Sequence, residues 1–154
     1  MTERILTAEE VHLIRDCMVK LSAYHDSVTT HPDFHFRPTY VDSVLEKMAE
    51  NIPEGKTKVK VLEDDGAVVG FASISLNTEN SKGHLSWLFL EEACRGKGYG
   101  GKLIDWAMEE FHALKLETID INCVCGNPAM ELYKKYGFSP RVVTLTKCET
   151  YENN

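Results

Sequence analysis

Residues 94–102 read CRGKGYGGK, with four glycines among six residues and Arg95, Lys97 and Lys102 around them. These residue types suit one piece of chemistry, the holding of a phosphate. Glycine lets successive backbone N–H groups point into one concavity. The stretch runs straight into an amphipathic helical pattern, so a helix N-terminus opens onto it. The unpaired donors and the dipole of that terminus favour an anion. Arg95 and Lys97 add positive charge in a chain whose formal net charge is −7. A local cation cluster still attracts an anion at short range, because screening removes distant charges first.

Three other readings of the loop compete. A P-loop is excluded, since Lys102 is followed by Leu103 rather than Ser or Thr and the glycine spacing is wrong. A dinucleotide fingerprint matches more closely: Gly96 to Gly101 spells G-x-G-x-x-G, and Asp120 lies 19 residues beyond Gly101. Against it, Glu91 to Arg95 separate the preceding strand from Gly96, whereas that fingerprint places its first glycine tightly after the strand. Asp120 also falls inside its strand, and the 30 residues after Val124 are too few to complete a doubly wound sheet. A flexible loop that binds nothing is the remaining alternative, at an entropic cost immediately before a well-patterned helix.

Two further groups of residues could carry chemistry. Cys123-x-Cys125 points two thiols to one side of a strand end, and His84 or Cys94 could join them at a metal. Zinc sites need four ligands at recognisable spacing, and C-x-C is not C-x-x-C; small core residues, and no metal, are expected. His25, His31 and His35 gather with Asp33, Phe34, Phe36 and Tyr40 around one polar, Pro-containing stretch, residues 27–38.

The elements that must position these groups are read from periodicity and breakers. Apolar residues recur at helical spacing over Ala8–His25, and Thr7 followed by Glu10 resembles a capping box. A short strand precedes at Arg4–Leu6, and a second helix spans about Tyr40–Asn51. Lys58–Leu62 and Ala67–Leu76 flank Asp64-Asp65-Gly66, a hairpin signal. His84–Leu90 is the strand before the glycine loop; a helix starts from Gly101 and Thr118–Val124 is the next strand. Asn127 fits an N-cap, Pro128 the first helical position and Gly137 the residue past the end, giving a helix over Pro128–Tyr136. Arg141–Lys147 is expected to be a last strand.

With 154 residues, 43% hydrophobic and 27% charged, the chain reads as one ordinary globular domain over 1–154. The acidic balance argues against non-specific nucleic-acid binding. The densest apolar run, Ala67–Ala72, is too short to span a membrane. Five cysteines in no evident framework, and no signal-peptide pattern after Met1, favour a cytoplasmic protein.

Loop and surroundings together resemble the GNAT superfamily of acyl-CoA-dependent N-acyltransferases. Its signature [RQ]-x-x-G-x-[GA] matches Arg95-Gly96-Lys97-Gly98-Tyr99-Gly100, after a strand ending Leu88-Phe89-Leu90. One helix and one strand later, Asn127, Ala129, Leu132, Tyr133, Lys135, Gly137 and Phe138 match the family's N-x-x-A-x-x-L-Y-x-K-x-G-F helix, with one residue fewer between the Asn and the Ala. The clear likeness covers about residues 58–147. It implies an α+β (mixed α/β) three-layer fold. The central sheet would be mixed and mostly antiparallel, with a splayed parallel pair and helices on both faces.

The resemblance also implies roles. Acetyl-CoA would lie between the splayed strands, its pantetheine paired with backbone groups of Leu88 and Leu90 beside Phe89, a form of strand addition. The N–H groups of Gly96 to Gly101, with Arg95, Lys97, Tyr99 and Lys102, would hold the pyrophosphate. Asn127, Met130, Tyr133 and Lys135 would line the cofactor from the short helix. The Leu90 N–H would stabilise the oxyanion and Tyr133 would be the general acid for the departing thiolate. The acceptor would be a small-molecule or peptide amine, walled by His31, His35, Phe36 and Ser86. Many members carry a Glu as base where this chain has Ser86, with His84, Glu91, Asp120 and Asp33 as conceivable substitutes. A non-catalytic acyl-CoA-binding regulatory module is the alternative, and homodimerisation would fit the family.

Overall fold

The computed structural model describes residues 1–37 and 39–152. Among these residues, five strands form one sheet in the order β1-β2-β3-β4-β5. They are β1 (Thr2–Ile5), β2 (Thr57–Asp64), β3 (Ala67–Asn77), β4 (Lys82–Leu90) and β5 (Thr118–Ile121). The first three pairings are antiparallel and β4–β5 is parallel. This is the mixed α+β sheet anticipated, and the crossover through α3 (Tyr99–Ala113) makes the parallel pair. Asp65 and Gly66, with φ of 52° and 81°, turn β2 into β3, the left-handed pair that a tight hairpin demands.

Each face of the sheet is covered by the stripe its helices present. On one face, Ile14 at the end of a 3-10 helix (Ala8–Ile14), Met18 and Leu21 of α1 (Arg15–Val28), and Val41, Leu45 and Met48 of α2 (Thr39–Asn51) pack on Val59, Val61, Phe71 and Phe89. On the other, Leu103, Ile104, Ala107 and Phe111 of α3 pack on Ala72, Ile74 and Leu85. Fully burying side chains of this kind stabilises by about 1.5–3 kcal/mol each, so both helix layers are held firmly to the sheet that carries the glycine loop.

Three expectations are corrected. The helix anticipated over Ala8–His25 divides into the 3-10 helix and α1, which runs on to Val28. The Glu10 carboxylate accepts the Thr7 N–H at 3.0 Å, so the capping box starts the first of these and not the second. The strand anticipated over Thr118–Val124 ends at Ile121. The strand anticipated over Arg141–Lys147 does not form, and residues 139–152 carry no regular structure. Val142, Val143 and Leu145 stand 68%, 74% and 92% exposed. β-branched residues have the propensity for a strand, but a strand also needs a neighbour to complete its ladder, and among the described residues this segment makes no backbone–backbone hydrogen bond. Arg141 pairs with Asp120 at 3.1 Å, and the Thr146 carbonyl meets His31 Nε2 at 2.9 Å.

One close approach holds α3 against the start of the parallel pair. A Cβ at Gly83 would lie 2.5 Å from a Phe111 ring carbon. Gly83→Ala is therefore expected to destabilise the protein by about 1–3 kcal/mol through overpacking. Urea denaturation measures this, and an unchanged midpoint would show that the Phe111 ring yields freely.

Candidate active site

The sheet opens where its parallel pairing stops. β4 and β5 are in register from Lys82↔Thr118 to Leu85↔Ile121 and no further. On its other edge, β4 slips register against β3: Ile74 pairs with Leu85 and Ser73 with Trp87, leaving Ser86 as the extra residue of a β-bulge. A bulge bends its strand and increases local twist, which turns Trp87–Leu90 away from β5.

The direction of the freed backbone follows from the ladder. The Glu91 N–H donates to the Val69 carbonyl at 2.8 Å, and Gly70↔Leu90 and Ala72↔Leu88 are paired in the same register. Hydrogen-bonded and non-bonded pairs alternate in an antiparallel ladder. Leu90 and Leu88 therefore turn their N–H and C=O groups away from β3, toward the gap. The Leu90 carbonyl accepts from Arg95 Nε at 2.9 Å.

A cleft of about 380 Å³ occupies this gap. Its walls are Leu85–Leu90, the glycine loop, the start and middle of α4 (Ala129–Lys135), and Leu21, Tyr24 and His25 of α1. Gly96 and Gly98 adopt φ of 76° and 87° with no atom near a hypothetical Cβ, so glycine is required there by conformation and not by space. Gly98 caps α3, and the N–H groups of its first turn have no helical acceptor. Gly100 and Gly101 sit inside that first turn and also line the cleft.

Across the cleft, Asn127 Oδ1 accepts the Ala129 N–H at 2.9 Å and starts α4. Tyr133 lines the cleft, and burial, followed by the charge of Cys123, pushes its hydroxyl up to about 12. Burial likewise pushes the Cys123 thiol up, which keeps it from being a ready nucleophile. The near end is closed by main chain: the Thr30 N–H donates to the Cys125 carbonyl at 2.9 Å, and a Cβ at Gly126 would collide with the Val28 carbonyl. The end of α1 is thereby fastened to the loop that carries Asn127.

Of the anticipated residues, Ser86, Leu88, Phe89, Leu90, Arg95, Gly96, Gly98, Gly100, Gly101, Asn127 and Tyr133 line this cleft. Lys97, Tyr99, Lys102 and Lys135 do not. Tyr99 packs against the α3 core and Lys102 Nζ lies 5.6 Å from its ring. Met130 lines a neighbouring pocket with Asp120 and Phe138. His35 faces Asp26 at 3.7 Å, and Phe36 stacks on Tyr40 with ring centroids 5.3 Å apart. Neither lines the cleft, and nor does His31. Glu91 is paired with Lys20 at 2.6 Å and Asp120 with Arg141, and neither reaches the cleft. Among the described residues no cluster of His, Cys, Asp or Glu could hold a metal ion. No described helix is long and apolar enough to cross a membrane.

Tyr24 was not singled out by sequence, although it sat on the apolar stripe of α1. Its ring and that of Phe89 seat the Arg95 guanidinium at 5.5 and 5.9 Å, within range of a cation–π contact. Arg95 thus joins α1, the end of β4 and the glycine loop at one point.

The model of the acetyltransferase (GNAT) family matches residues 21–138. Solved structures share the fold at low identity. A tetramutant of the BH1408 protein from Bacillus halodurans is 17% identical, with 97% of this chain and 100% of that one covered at a TM-score of 0.76. A GCN5-related N-acetyltransferase from Ralstonia eutropha is 15% identical over 96% and 97% of the two chains, TM-score 0.75. A predicted acetyltransferase of Clostridium acetobutylicum, solved with acetyl-CoA, is 16% identical over 96% and 95%, TM-score 0.73. No curated protein gives a significant match.

Alanine at both Gly96 and Gly98 forces L-residues into left-handed backbone, at roughly 1–2 kcal/mol each. The double variant is expected to bind coenzyme A at least tenfold more weakly while keeping a cooperative melt. Calorimetric titration measures this, and unchanged affinity would show that the loop conformation is immaterial to the ligand.

Proposed function

The chain belongs to the acetyltransferase (GNAT) family, and from that premise we propose that it transfers the acetyl group of acetyl-CoA directly to a primary amine. The observation that carries this reading is the orientation of Leu90, whose N–H turns into the cleft between the glycine loop and Tyr133. A backbone donor fixed by a sheet costs no reorganisation when an oxyanion develops near it. The Leu88 and Leu90 main chain offers an extended ligand a strand to pair with. The loop N–H groups and the first turn of α3 supply the positive end for a pyrophosphate. The Clostridium acetobutylicum structure, which holds acetyl-CoA, supports this ligand.

Tyr133 acts on the leaving group. Its hydroxyl, raised to about 12, stays protonated across the physiological range and can donate to sulfur. Complete transfer to a thiolate of ordinary pKa near ~8.5 is uphill by roughly 5 kcal/mol. The role is therefore a hydrogen bond to the departing thiolate, which draws its proton from water, and not the low-cost proton donation that unperturbed pKa values suggest. Ser86 is not the base: its hydroxyl shares a hydrogen bond with Ser75 at 3.1 Å and has no tendency to ionise near neutral pH. The net charge of −7 favours a cationic acceptor by steering.

Thioester consumption with acetyl-CoA across a panel of primary amines tests the activity. Turnover with at least one amine is expected, and none with any would leave a binding module. Tyr133→Phe is expected to lower kcat about 10- to 100-fold, the worth of one hydrogen bond to a charged group, with near-normal acetyl-CoA affinity. Wild-type kcat in that variant would remove Tyr133 from the mechanism.

A further inference from the structure

The proposed transfer depends on how the Leu90 backbone is aimed, and the peptide that follows Leu90 is held from both sides. Its N–H, on Glu91, donates to the Val69 carbonyl of β3 at 2.8 Å. Its carbonyl, turned toward the gap, accepts from Arg95 Nε at 2.9 Å. The 3-10 turn over Glu92–Cys94 folds the chain back so that Arg95 reaches that carbonyl. An arginine side chain has much rotamer freedom to lose, so its guanidinium stays on one carbonyl only where something holds it there. Among the described residues no carboxylate pairs with Arg95, and Glu91 is taken by Lys20 at 2.6 Å.

Two aromatic rings hold it instead. Arg95 Cζ lies 5.5 Å from the Tyr24 ring centre and 5.9 Å from that of Phe89, inside the ~6 Å reach of a cation–π contact. Phe89 is 6% exposed and belongs to the core, so packing fixes its ring. Tyr24 is half-buried and lines the cleft together with Leu90 and Arg95. It stands four residues after Lys20, and residues four apart share one face of a helix. That face of α1 grips the end of β4 twice, with Lys20 on Glu91 and Tyr24 on Arg95. His25, the next residue, has its Nδ1 buried without a hydrogen-bond partner in the protein. Among the described residues, Tyr24 is the one side chain of α1 that meets the guanidinium.

Without the Tyr24 ring, the guanidinium is free to swing into solvent. The Leu90 carbonyl is then left unpaired in the cleft, on the same residue as the N–H that meets the oxyanion. A bare carbonyl sets the negative end of a dipole beside a developing negative charge, and the cation that offset it is gone. We infer that Tyr24 is a positioning residue for the transfer, its ring keeping the Arg95 guanidinium seated on the Leu90 carbonyl. The inference rests on the acetyl-transfer reading. The ring face carries the role, the phenolic hydroxyl does not, and the whole effect passes through Arg95.

A double-mutant cycle in the thioester assay tests this, with both substrates saturating and the primary amine that the wild type turns over fastest. Tyr24→Phe keeps the ring face and is expected to hold kcat within about twofold of wild type. Tyr24→Leu keeps apolar bulk without a ring and is expected to lower kcat about 3- to 30-fold, the worth of one cation–π contact, while keeping a cooperative melt. Arg95→Met is expected to lower kcat by at least as much. Tyr24→Leu added to Arg95→Met is expected to cost less than about twofold more, because the ring then has nothing to hold. Three results would each overturn the role and leave the transfer reading standing: Tyr24→Leu losing less than about threefold, Tyr24→Phe losing more than about twofold, or a further loss above about twofold in the Arg95→Met background. Should leucine cost the fold, Tyr24→Met is measured in its place against the same thresholds. A wild type that consumes no thioester with any amine would overturn the transfer reading itself, and this role with it.

Discussion

Everything in this molecule's candidate chemistry depends on a parallel ladder that stops after four rungs. Lys82 to Leu85 pair with Thr118 to Ile121, and the bulge at Ser86 then bends β4 away. Had the ladder continued, the Leu88 and Leu90 backbone groups would be spent on β5. Because it stops, two residues of extended main chain face a gap while the neighbouring strand β3 holds them rigid. Unpaired backbone polar groups inside a fold are costly, which is why the proposed function fills the gap with a ligand that carries strand-like hydrogen-bonding groups.

The remaining parts give that gap polarity and ends. The glycine loop and the first turn of α3 concentrate N–H donors at one end, and Gly96 and Gly98 hold the left-handed backbone this requires. Arg95 braces this end of the cleft: it bonds the Leu90 carbonyl and rests on Tyr24 and Phe89. Its charge stays near the loop while its geometry fixes where β4 ends. At the other end, Gly126 lets the Asn127 loop close on the Val28 carbonyl of α1. One short helix thus delivers Tyr133 to the same cleft that α1 lines with His25. Cores on both faces of the sheet hold these pieces, so the site needs little rearrangement to receive an extended ligand.

How legible this was in sequence depended on whether a local rule or a distant neighbour decided the outcome. The glycine loop was legible because left-handed backbone needs glycine, and the Asp65-Gly66 hairpin for the same reason. Helices α2, α3 and α4 were legible because an apolar stripe and a cap are local signals. The end of β5 was not: Asn122 to Val124 look no less strand-like than Thr118 to Ile121, and only the bulge in β4 takes their partner away. Arg141–Lys147 failed for a related reason, since its β-branched residues have no ladder to join. His25 could be seen among other histidines, yet its orphaned nitrogen comes from burial between α1 and the aromatic residues behind it, which spacing does not reveal. That Lys97 and Lys102 do not line the cleft was hidden for a simpler reason, since spacing does not give the direction of a side chain.

The central claim is that the splayed β4 backbone and the glycine loop together bind the thioester ligand. Backbone amide NMR of the nitrogen-15-labelled protein during titration with acetyl-CoA tests it most directly. The largest shifts are predicted at the Leu88 and Leu90 amides and at Gly96, Gly98 and Gly100, saturating together with one affinity. Shifts confined to the pocket between β5 and residues 138–142, or Leu90 unmoved while the glycine amides respond, would contradict it.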